Sequence, residues 1–493
     1  MFLRELRPAL LLALTLLCMP LYAQSSPGGN SHTASAINTP ISLPAAEPAA
    51  STPLATSGNA PSAGRIDKAD TVWTLLGAAL VLLMTPGLAF FYGGLTRAKN
   101  VMSTFMMSFV AMGIVSIQWV LFGYSLAFGS DIHGIVGNPL QYFALRGVGA
   151  EPRPDLGPTI PQSAFMIFQM AFAVITPALI SGAAVERIKF GAYCVFILLW
   201  STFLYDPLVH MVWGGGWLAQ RGVLDFAGGT VVETASGVSA LAIALIIGKR
   251  RGFGSEELRP HNLPMVLIGV GILWFGWFGF NAGSSLTVNG VAAQAFINTH
   301  LAGAAAASVW MLIEWVRFRK PSALGFGSGA VAGLVAITPA CGFVNTMGAI
   351  AIGGVAAFVS FYAILLKTRW DKYDDSLDVF AVHGCAGMFG LLATGLLADV
   401  AINPGIMSSL GGRAGILAGG HDMHQFFVQL LAVAVTAGLA LGVTFVTAKI
   451  AGLVPGGLRA TADEEENGLD VTEHGEAGYS TDVAGSAAYA AVN

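Results

Sequence analysis

The sequence predicts an all-α polytopic membrane protein with eleven transmembrane helices. Of its 493 residues, 55% are hydrophobic and only 11% are charged, whereas an average soluble domain has about 25% charged residues. Its 62 glycines exceed the usual share of about 7% without a collagen period, as is typical of closely packed membrane helices. The net charge of −4 provides no basic surface for nucleic acid. These observations exclude a soluble domain and a nucleic-acid-binding protein.

Each predicted span is an apolar stretch long enough to cross a bilayer core of about 30 Å, which needs about 20 residues. The eighth and ninth stretches are so close in sequence that a re-entrant pair is an alternative to two crossings. Eleven spans divide into five, five and one, and two successive five-helix units would form an inverted repeat, as in many transporters. The predicted spans are 70–93, 101–127, 162–184, 190–213, 226–248, 263–283, 291–316, 324–344, 346–366, 378–398 and 424–450.

Three further segments frame a membrane domain at 67–452. Residues 1–23 begin with Arg4 and Arg7, continue with a short apolar run and end at Ala23, which is the order of a secretory signal peptide. Residues 24–66 are rich in Ser, Ala, Pro and Gly, so they predict a disordered exported leader. Residues 453–493 would form a C-terminal tail that follows the last span.

The basic residues indicate the orientation in the membrane. With an exported N-terminus, sixteen Lys and Arg residues fall on the cytoplasmic side and six on the outer side, as the positive-inside rule requires. The signal peptide independently requires an exported N-terminus, and an odd number of spans then places the tail in the cytoplasm. We therefore expect a multi-pass protein of the cell inner membrane.

Few ionisable residues lie within the spans, and such residues are by default functional candidates. Glu233 has no basic neighbour in its apolar stretch, so it is protonated, hydrated or paired with another helix. A hydrogen bond between helices is the alternative for Glu233, and a packed neutral ring is the alternative for His383. The fifth and tenth spans open alike, with Asp225 before one and Asp378 before the other, which would place Glu233 and His383 on comparable faces. His210 is expected to join polar groups where a proline loosens its helix.

Aromatic residues form a second group of candidates. Phe168 and Phe172 are four residues apart, as are Phe280 and Ser284, so each pair shares a helix face. Rings with a hydroxyl acceptor could hold a small cation through cation-π attraction, although packing and interface anchoring are the usual roles of such residues. No nucleotide-binding, metalloprotease or hydrolase motif is present, so the sequence predicts no enzyme, no cofactor and no metal site.

Several segments occur in an order that is specific to one family. The sequence resembles the ammonium transporter family, the Amt, Mep and Rh proteins, and especially its bacterial Amt branch. The resemblance extends over nearly all of residues 67–482. The segments that carry it are Pro86-Gly87 to Gly94, His210-Met211-Val212-Trp213-Gly214-Gly215-Gly216, Asp225 to Val232, His261-Asn262-Leu263-Pro264, Gly276 to Ser284, and Asp378 to Gly384.

The resemblance implies a homotrimer of eleven-helix subunits, each with its own pore. It implies that Phe168, Phe172, Trp213 and Ser284 form an outer ammonium-binding site, with Asp225 as its support. Phe172 and Phe280 would be the gate, and His383 the second pore histidine. Glu233 stands where most bacterial members carry the first pore histidine. Some fungal members also carry glutamate there, so transport is compatible with Glu233, whereas the proton route and the pH response are open.

The leading hypothesis is a transporter that recruits NH4+ at the outer site, deprotonates it and conducts NH3 through an apolar pore. Glu233 and His383 would carry the proton, and methylammonium would be a substrate analogue. The resemblance also implies that the tail at 453–493 is regulatory and contacts a PII-type signalling protein; a solvated acidic tail is the alternative. An ammonium sensor that signals through its tail and a neutral-gas channel of the Rh type are the other candidate functions.

Overall fold

The computed structural model describes residues 65–370 and 373–479. The predicted signal peptide and nearly all of the predicted leader lie outside the described residues. Within them, ten helices are long and apolar enough to cross a membrane, and an eleventh apolar helix is shorter. Together they confirm the predicted helical membrane domain. We call the two ends of these helices outer and inner according to the predicted orientation.

The eleven helices are labelled α1 to α11 in chain order. They are Lys68–Leu95, Ala98–Phe128, Gln162–Ala184, Phe190–Gln220, Gly229–Ile247, Leu263–Ser285, Gly290–Phe318, Ala323–Ile337, Thr346–Arg369, Phe380–Leu397 and His424–Ala451.

Side-chain caps explain where several helices begin. Asp67 precedes α1 and accepts hydrogen bonds from the backbone N–H groups of Ala69 and Asp70 at 2.8 and 3.0 Å. Asn262 caps α6 in the same way through the N–H of Met265, and Asn289 caps α7. Each cap satisfies N–H groups that have no acceptor inside the first helical turn.

Helix α8 is shorter than predicted, because it ends at Ile337 and residues 338–344 form turns. Its 15 residues extend only about 22 Å at 1.5 Å per residue, less than the thickness of a bilayer core. Gly329 and Gly333 face α7 so closely that a Cβ at either position would overlap α7 atoms. The expected close packing through small residues is therefore present.

Helices α5 and α10 begin later than predicted, at Gly229 and Phe380. Gly228 has a φ of +120° and Asp378 a φ of +60°, so the preceding backbone is not helical. Both helices open with a π-helical turn, at Gly229–Thr234 and Phe380–Cys385, an irregularity that often occurs at functional sites. The predicted five-plus-five repeat is compatible with this shared opening and stays a prediction.

Two strand pairs and two short tail helices were not predicted. The loop between α2 and α3 contains two antiparallel pairs, β1 (Asp131–Ile132) with β2 (Val136–Gly137) and β3 (Pro152–Arg153) with β4 (Gly157–Pro161). The tail contains two short helices, α12 (Ala462–Asn467) and α13 (Leu469–His474).

The helix packing places α5 at the centre of the subunit. Most of α5 is buried, whereas only about a third or less of α2 and α11 is buried. Helix α5 packs against α3, α10 and α11, and α6 packs along α1. The candidate residues on α3, α5, α6 and α10 therefore point toward a shared interior.

Candidate functional site

An outer cavity of about 410 Å³ opens at the outer ends of the helices. Trp213 and Ser284, both predicted for the outer site, line this cavity together with Asp225 and Gln169. Asp155 also lines it and is exposed in an ion pair with Arg153. The cavity is thus mixed in character, with aromatic, hydroxyl, amide and carboxylate groups.

The structure brings the predicted aromatic residues together beneath the outer cavity. The ring centroids of Phe168 and Phe172 are 5.0 Å apart, and those of Phe172 and Trp213 are 6.1 Å apart. The Trp213 indole N–H donates to the backbone oxygen of Asp225 at 2.9 Å, which fixes the ring. These distances are typical of attractive aromatic contacts, and rings of this kind can attract a cation through their faces.

The hydroxyl oxygen of Ser284 can still accept hydrogen bonds. Its hydroxyl donates to the backbone oxygen of Phe280 at 2.7 Å, so its hydrogen is used and its lone pairs remain free. A hydroxyl oxygen in this state can accept a hydrogen bond from an N–H group of a ligand.

Asp225 holds the start of α5. One carboxylate oxygen accepts from the backbone N–H groups of Gly228 and Gly229 at 2.8 and 2.7 Å, and the other accepts from Thr230 at 2.7 Å. The carboxylate therefore satisfies three N–H groups at the positive end of a helix.

Phe172 and Phe280, the pair predicted to form a gate, stack against each other below the outer cavity. Their ring centroids are 4.2 Å apart and their planes are 26° from parallel. Beneath them lies a cavity of about 10 Å³, lined largely by apolar side chains and also by Glu233 and His383. Such a volume holds about one water molecule.

Glu233 and His383 form a buried pair in this narrow part. His383 Nδ1 is 2.7 Å from a carboxylate oxygen of Glu233, and the two side chains are 3% and 1% exposed. Gly237 and Gly384 allow their helices to approach so closely that a Cβ on Gly237 would overlap the Gly384 backbone. This close approach brings the two residues, 150 positions apart in sequence, within hydrogen-bonding distance.

An inner cavity of about 350 Å³ begins at His383 and also contains Tyr92, Arg250 and Asp378. His383 therefore lines both the narrow cavity and the inner one. Beside the inner cavity, burial would raise the pKa of Glu186, but the guanidinium groups of Arg250 and Arg97 hold that pKa below its usual range. The outer cavity, the stacked rings of Phe172 and Phe280, the narrow cavity and the inner cavity thus follow one another through the subunit.

The tail is docked on the inner side of the same subunit. Asp470 accepts from the Ser103 backbone N–H at 2.8 Å, and Asn100 accepts from the Leu469 N–H at 2.8 Å. Lys189 pairs with Glu464 at 2.5 Å. Asp470 and Leu469 are buried, so the docked segment differs from the solvated acidic tail considered as an alternative.

Gln169 and Asp131 were not predicted from the sequence. The Gln169 amide oxygen is buried without a hydrogen-bond partner and its side chain lines the outer cavity; its position beside Phe168 was the available signal. His210 joins polar groups as expected, since its ring lies between the Ala127 backbone oxygen and the Asp131 carboxylate. The loop geometry that supplies Asp131 gives no sequence signal.

Comparisons with known proteins indicate the family of this chain. A family model described as Ammonium Transporter Family matches residues 72–479. An ammonium transporter of Bacillus subtilis (strain 168) is 49% identical over 411 residues, which cover 83% of this chain and 98% of that protein.

Two crystal structures of fungal proteins have the same fold. Saccharomyces cerevisiae Mep2 is 34% identical with a TM-score of 0.77, covering 85% of this chain and 93% of that one. Candida albicans Mep2 is 35% identical with a TM-score of 0.75, covering 81% and 88%. The family match and the bacterial relative each cover most of this chain, and it therefore belongs to the ammonium transporter family.

Proposed function

We propose that this ammonium transporter binds NH4+ at an outer cage formed by Phe168, Phe172, Trp213 and Ser284. The ion loses a proton there, NH3 passes the Phe172–Phe280 gate, and Glu233 and His383 carry the proton. The observation that supports this most strongly is the 2.7 Å contact between Glu233 and His383 at the junction of the narrow and inner cavities.

The dimensions of the path favour ammonia over ammonium beyond the gate. The narrow cavity of about 10 Å³ has no room for a hydrated ion. Moving a bare cation into apolar surroundings costs far more than moving a small neutral molecule. Deprotonation at the cage would avoid that cost, since only neutral NH3 would enter.

The Glu233–His383 pair suits the transfer of a separate proton. A proton can move between a carboxylate and an imidazole along their hydrogen bond without changing the net charge of the pair. A proton entering from the outer side would reach Glu233, and His383 would release it into the inner cavity. The pair would therefore pass the proton, and with it the positive charge, while the ammonia that crosses the pore remains neutral.

Currents from proteoliposomes test this proposal. In Glu233→Gln the amide oxygen can still accept from His383 Nδ1, so we expect intact folding and an ammonium-dependent current reduced more than tenfold. Glu257→Gln is the control, because Glu257 pairs with Arg259 in an exposed loop. A wild-type current in Glu233→Gln combined with His383→Gln would remove both residues from the proton route.

The same recordings distinguish the other candidate functions. A pure sensor would bind ammonium without any flux into liposomes. A neutral-gas channel would give no ammonium-dependent current but would pass a neutral gas. Methylammonium uptake by cells that lack their own transporters separates both from a transporter.

We also propose that the subunit forms a homotrimer in the cell inner membrane, with its N-terminus outside and its tail in the cytoplasm. Large apolar side chains on α1 and α6, including Val72, Leu75, Ile268 and Phe275, are exposed, which supports contact with neighbouring subunits or lipid. Native mass spectrometry would give the subunit number, and labelling of single cysteines in the tail would give the orientation.

For the tail, we propose a PII-type signalling protein as its partner. Asp463, Glu466 and Glu476 remain exposed after docking, and so they can contact a partner without displacing the docked residues. Co-purification with a PII protein, compared between wild type and a variant with these three acids changed to amides, tests the assignment.

A further inference from the structure

His210 lies at a junction outside the pore. It is fully buried on α4, three residues before Trp213. Its Nδ1 is 2.9 Å from the backbone oxygen of Ala127, at the outer end of α2. Its Nε2 is 2.9 Å from a carboxylate oxygen of Asp131 in β1. The ring therefore joins the outer end of α2 and the β1–β2 hairpin to the helix that leads to Trp213.

Both partners of the ring are hydrogen-bond acceptors. A backbone carbonyl can only accept, and an ionised carboxylate can only accept. Asp131 accepts two further contacts, from the Gly134 N–H at 2.8 and 3.0 Å, and its hydrogen bond with His210 lowers its pKa. Asp131 is therefore a carboxylate, and a neutral ring would direct one lone pair at an oxygen.

Other ionisable groups lie near the junction, but none of them makes either of the two hydrogen-bonding contacts of the His210 ring. Asp206 precedes His210 by one helical turn on α4, and His133 lies in the β1–β2 turn. Tyr205 lies on α4 itself, and the elements packed against this part of α4 also carry Tyr124 and Glu233.

The same junction sets the backbone that presents Trp213. The His210 backbone oxygen accepts from the N–H groups of Gly214 and Gly216 at 3.0 and 2.9 Å, and the Trp217 N–H donates to Gly134 in the hairpin at 2.9 Å. A shift of the ring would therefore move both sides of the turn that follows Trp213.

We propose that His210 is an imidazolium that acts as a positioning residue for the outer cage by joining Ala127 and Asp131 to the segment of Trp213. The inference of a charged ring stands on its own, whereas the effect on transport rests on the proposed cage.

A spectroscopic measurement tests the charge directly. The chain has nine histidines, and ¹⁵N-labelled histidine spectra of the protein in nanodiscs can be assigned by the signal lost in His210→Gln. We expect two protonated ring nitrogens in the wild type at neutral pH. In Asp131→Asn we expect a neutral ring, since the amide N–H can donate to Nε2. A neutral His210 ring in the wild type would overturn the proposal.

Transport kinetics test the positioning role. Glutamine carries both of its N–H donors on one nitrogen and an acceptor oxygen on the other arm of the amide, so in His210→Gln only one of the two acceptors can face a donor. We expect its apparent KM for methylammonium to rise about tenfold with little change in maximal rate, because a charge-assisted hydrogen bond typically contributes about this factor. Adding Asp131→Asn provides a donor for the glutamine oxygen and should restore most of the KM.

A control variant in the same hairpin is His133→Asn. His133 is exposed and has a φ of +58°, which asparagine tolerates, so its KM should stay at the wild-type value. An unchanged KM in His210→Gln, or no recovery in the double variant, would contradict the positioning role even if the ring is charged. If the single variant does not fold, Asp131→Ala replaces it, with the same expected rise in KM.

Discussion

Removing the Asp225 carboxylate should act mainly by destabilising the start of α5, and the altered charge of the outer cavity should be the smaller effect. Its three hydrogen bonds at 2.7 to 2.8 Å each contribute about 1.5 kcal/mol or more, as is usual for bonds to a charged group. In Asp225→Ala all three N–H groups lose their acceptor. Water from the adjoining cavity can replace part of that loss, so we expect the free energy of unfolding to fall by about 3 to 5 kcal/mol.

The asparagine variant separates capping from charge. Asp225→Asn keeps the oxygen that serves Gly228 and Gly229 and loses only the bond to Thr230, so the expected loss is about 1 to 2 kcal/mol. Denaturant unfolding of purified protein in detergent measures both losses. Asp155→Asn is the control, because Asp155 lines the same cavity but is exposed in its ion pair. If Asp225→Asn and Asp225→Ala lose uptake equally while both unfold like the wild type, the carboxylate acts through its charge and the capping argument is wrong.

Other changes should affect the gate, the helix crossing and the tail. Phe280→Ala removes one ring of the proposed gate, so potassium should leak into proteoliposomes that exclude it when they contain the wild-type protein. The free energy of unfolding should fall by about 3 kcal/mol or more. A variant that still excludes potassium would show that another residue closes the path. Gly237→Ala should abolish the current, because its Cβ would overlap the Gly384 backbone and force α5 and α10 apart; a wild-type current would contradict this. The hydrogen bond between Lys189 and Glu464 raises the pKa of Lys189 and lowers that of Glu464. The contribution of Glu464 is therefore present above its unfolded pKa and lost as pH falls through the depressed folded value, while that of Lys189 is lost only as pH rises through its raised value. Tail cleavage by protease should consequently be slow near neutral pH and faster in acid, and Lys189→Met should reduce that difference, because Glu464 then keeps only its hydrogen bonds with Thr461.

The sequence predicted the membrane helices well, because their signal is composition over about 20 residues. Their irregular parts were harder to predict. The π-helical openings of α5 and α10 follow Gly228 and Asp378, both of which have positive φ values. Glycine adopts such a φ readily, but the identity of Asp378 does not indicate one. The early end of α8 occurs within an apolar stretch, where hydropathy does not change when the backbone turns.

In the candidate site too, contacts between residues close in sequence were predictable, and contacts between distant residues were harder to predict. Phe168 with Phe172, and Phe280 with Ser284, were predictable because each pair shares a helix face at a spacing of four residues. The contact of Glu233 with His383 joins positions 150 residues apart, so its expectation depended on the similar openings of the two spans. Asp131 reaches His210 from a hairpin with no apolar periodicity, and the docking of α13 depends on backbone N–H groups that every residue carries. Neither contact has a pattern in the sequence.

The carboxylate at Glu233 gives the pore pair a different charge balance from two imidazoles. A proton shared by carboxylate and imidazole leaves the pair with zero net charge, whether it is an ion pair or two neutral groups, whereas two imidazoles with one extra proton carry a net positive charge. A positive pair would repel the proton that follows NH3, and repulsion in a buried site is weakly screened. We therefore expect Glu233→His to pass a smaller ammonium current than the wild type. The ratio of the variant current to the wild-type current should fall as the outer pH is lowered. Recordings from proteoliposomes over a pH series measure this ratio, with Glu257→Gln as the control. A ratio that is independent of pH would show that the charge of this pair does not limit proton transfer.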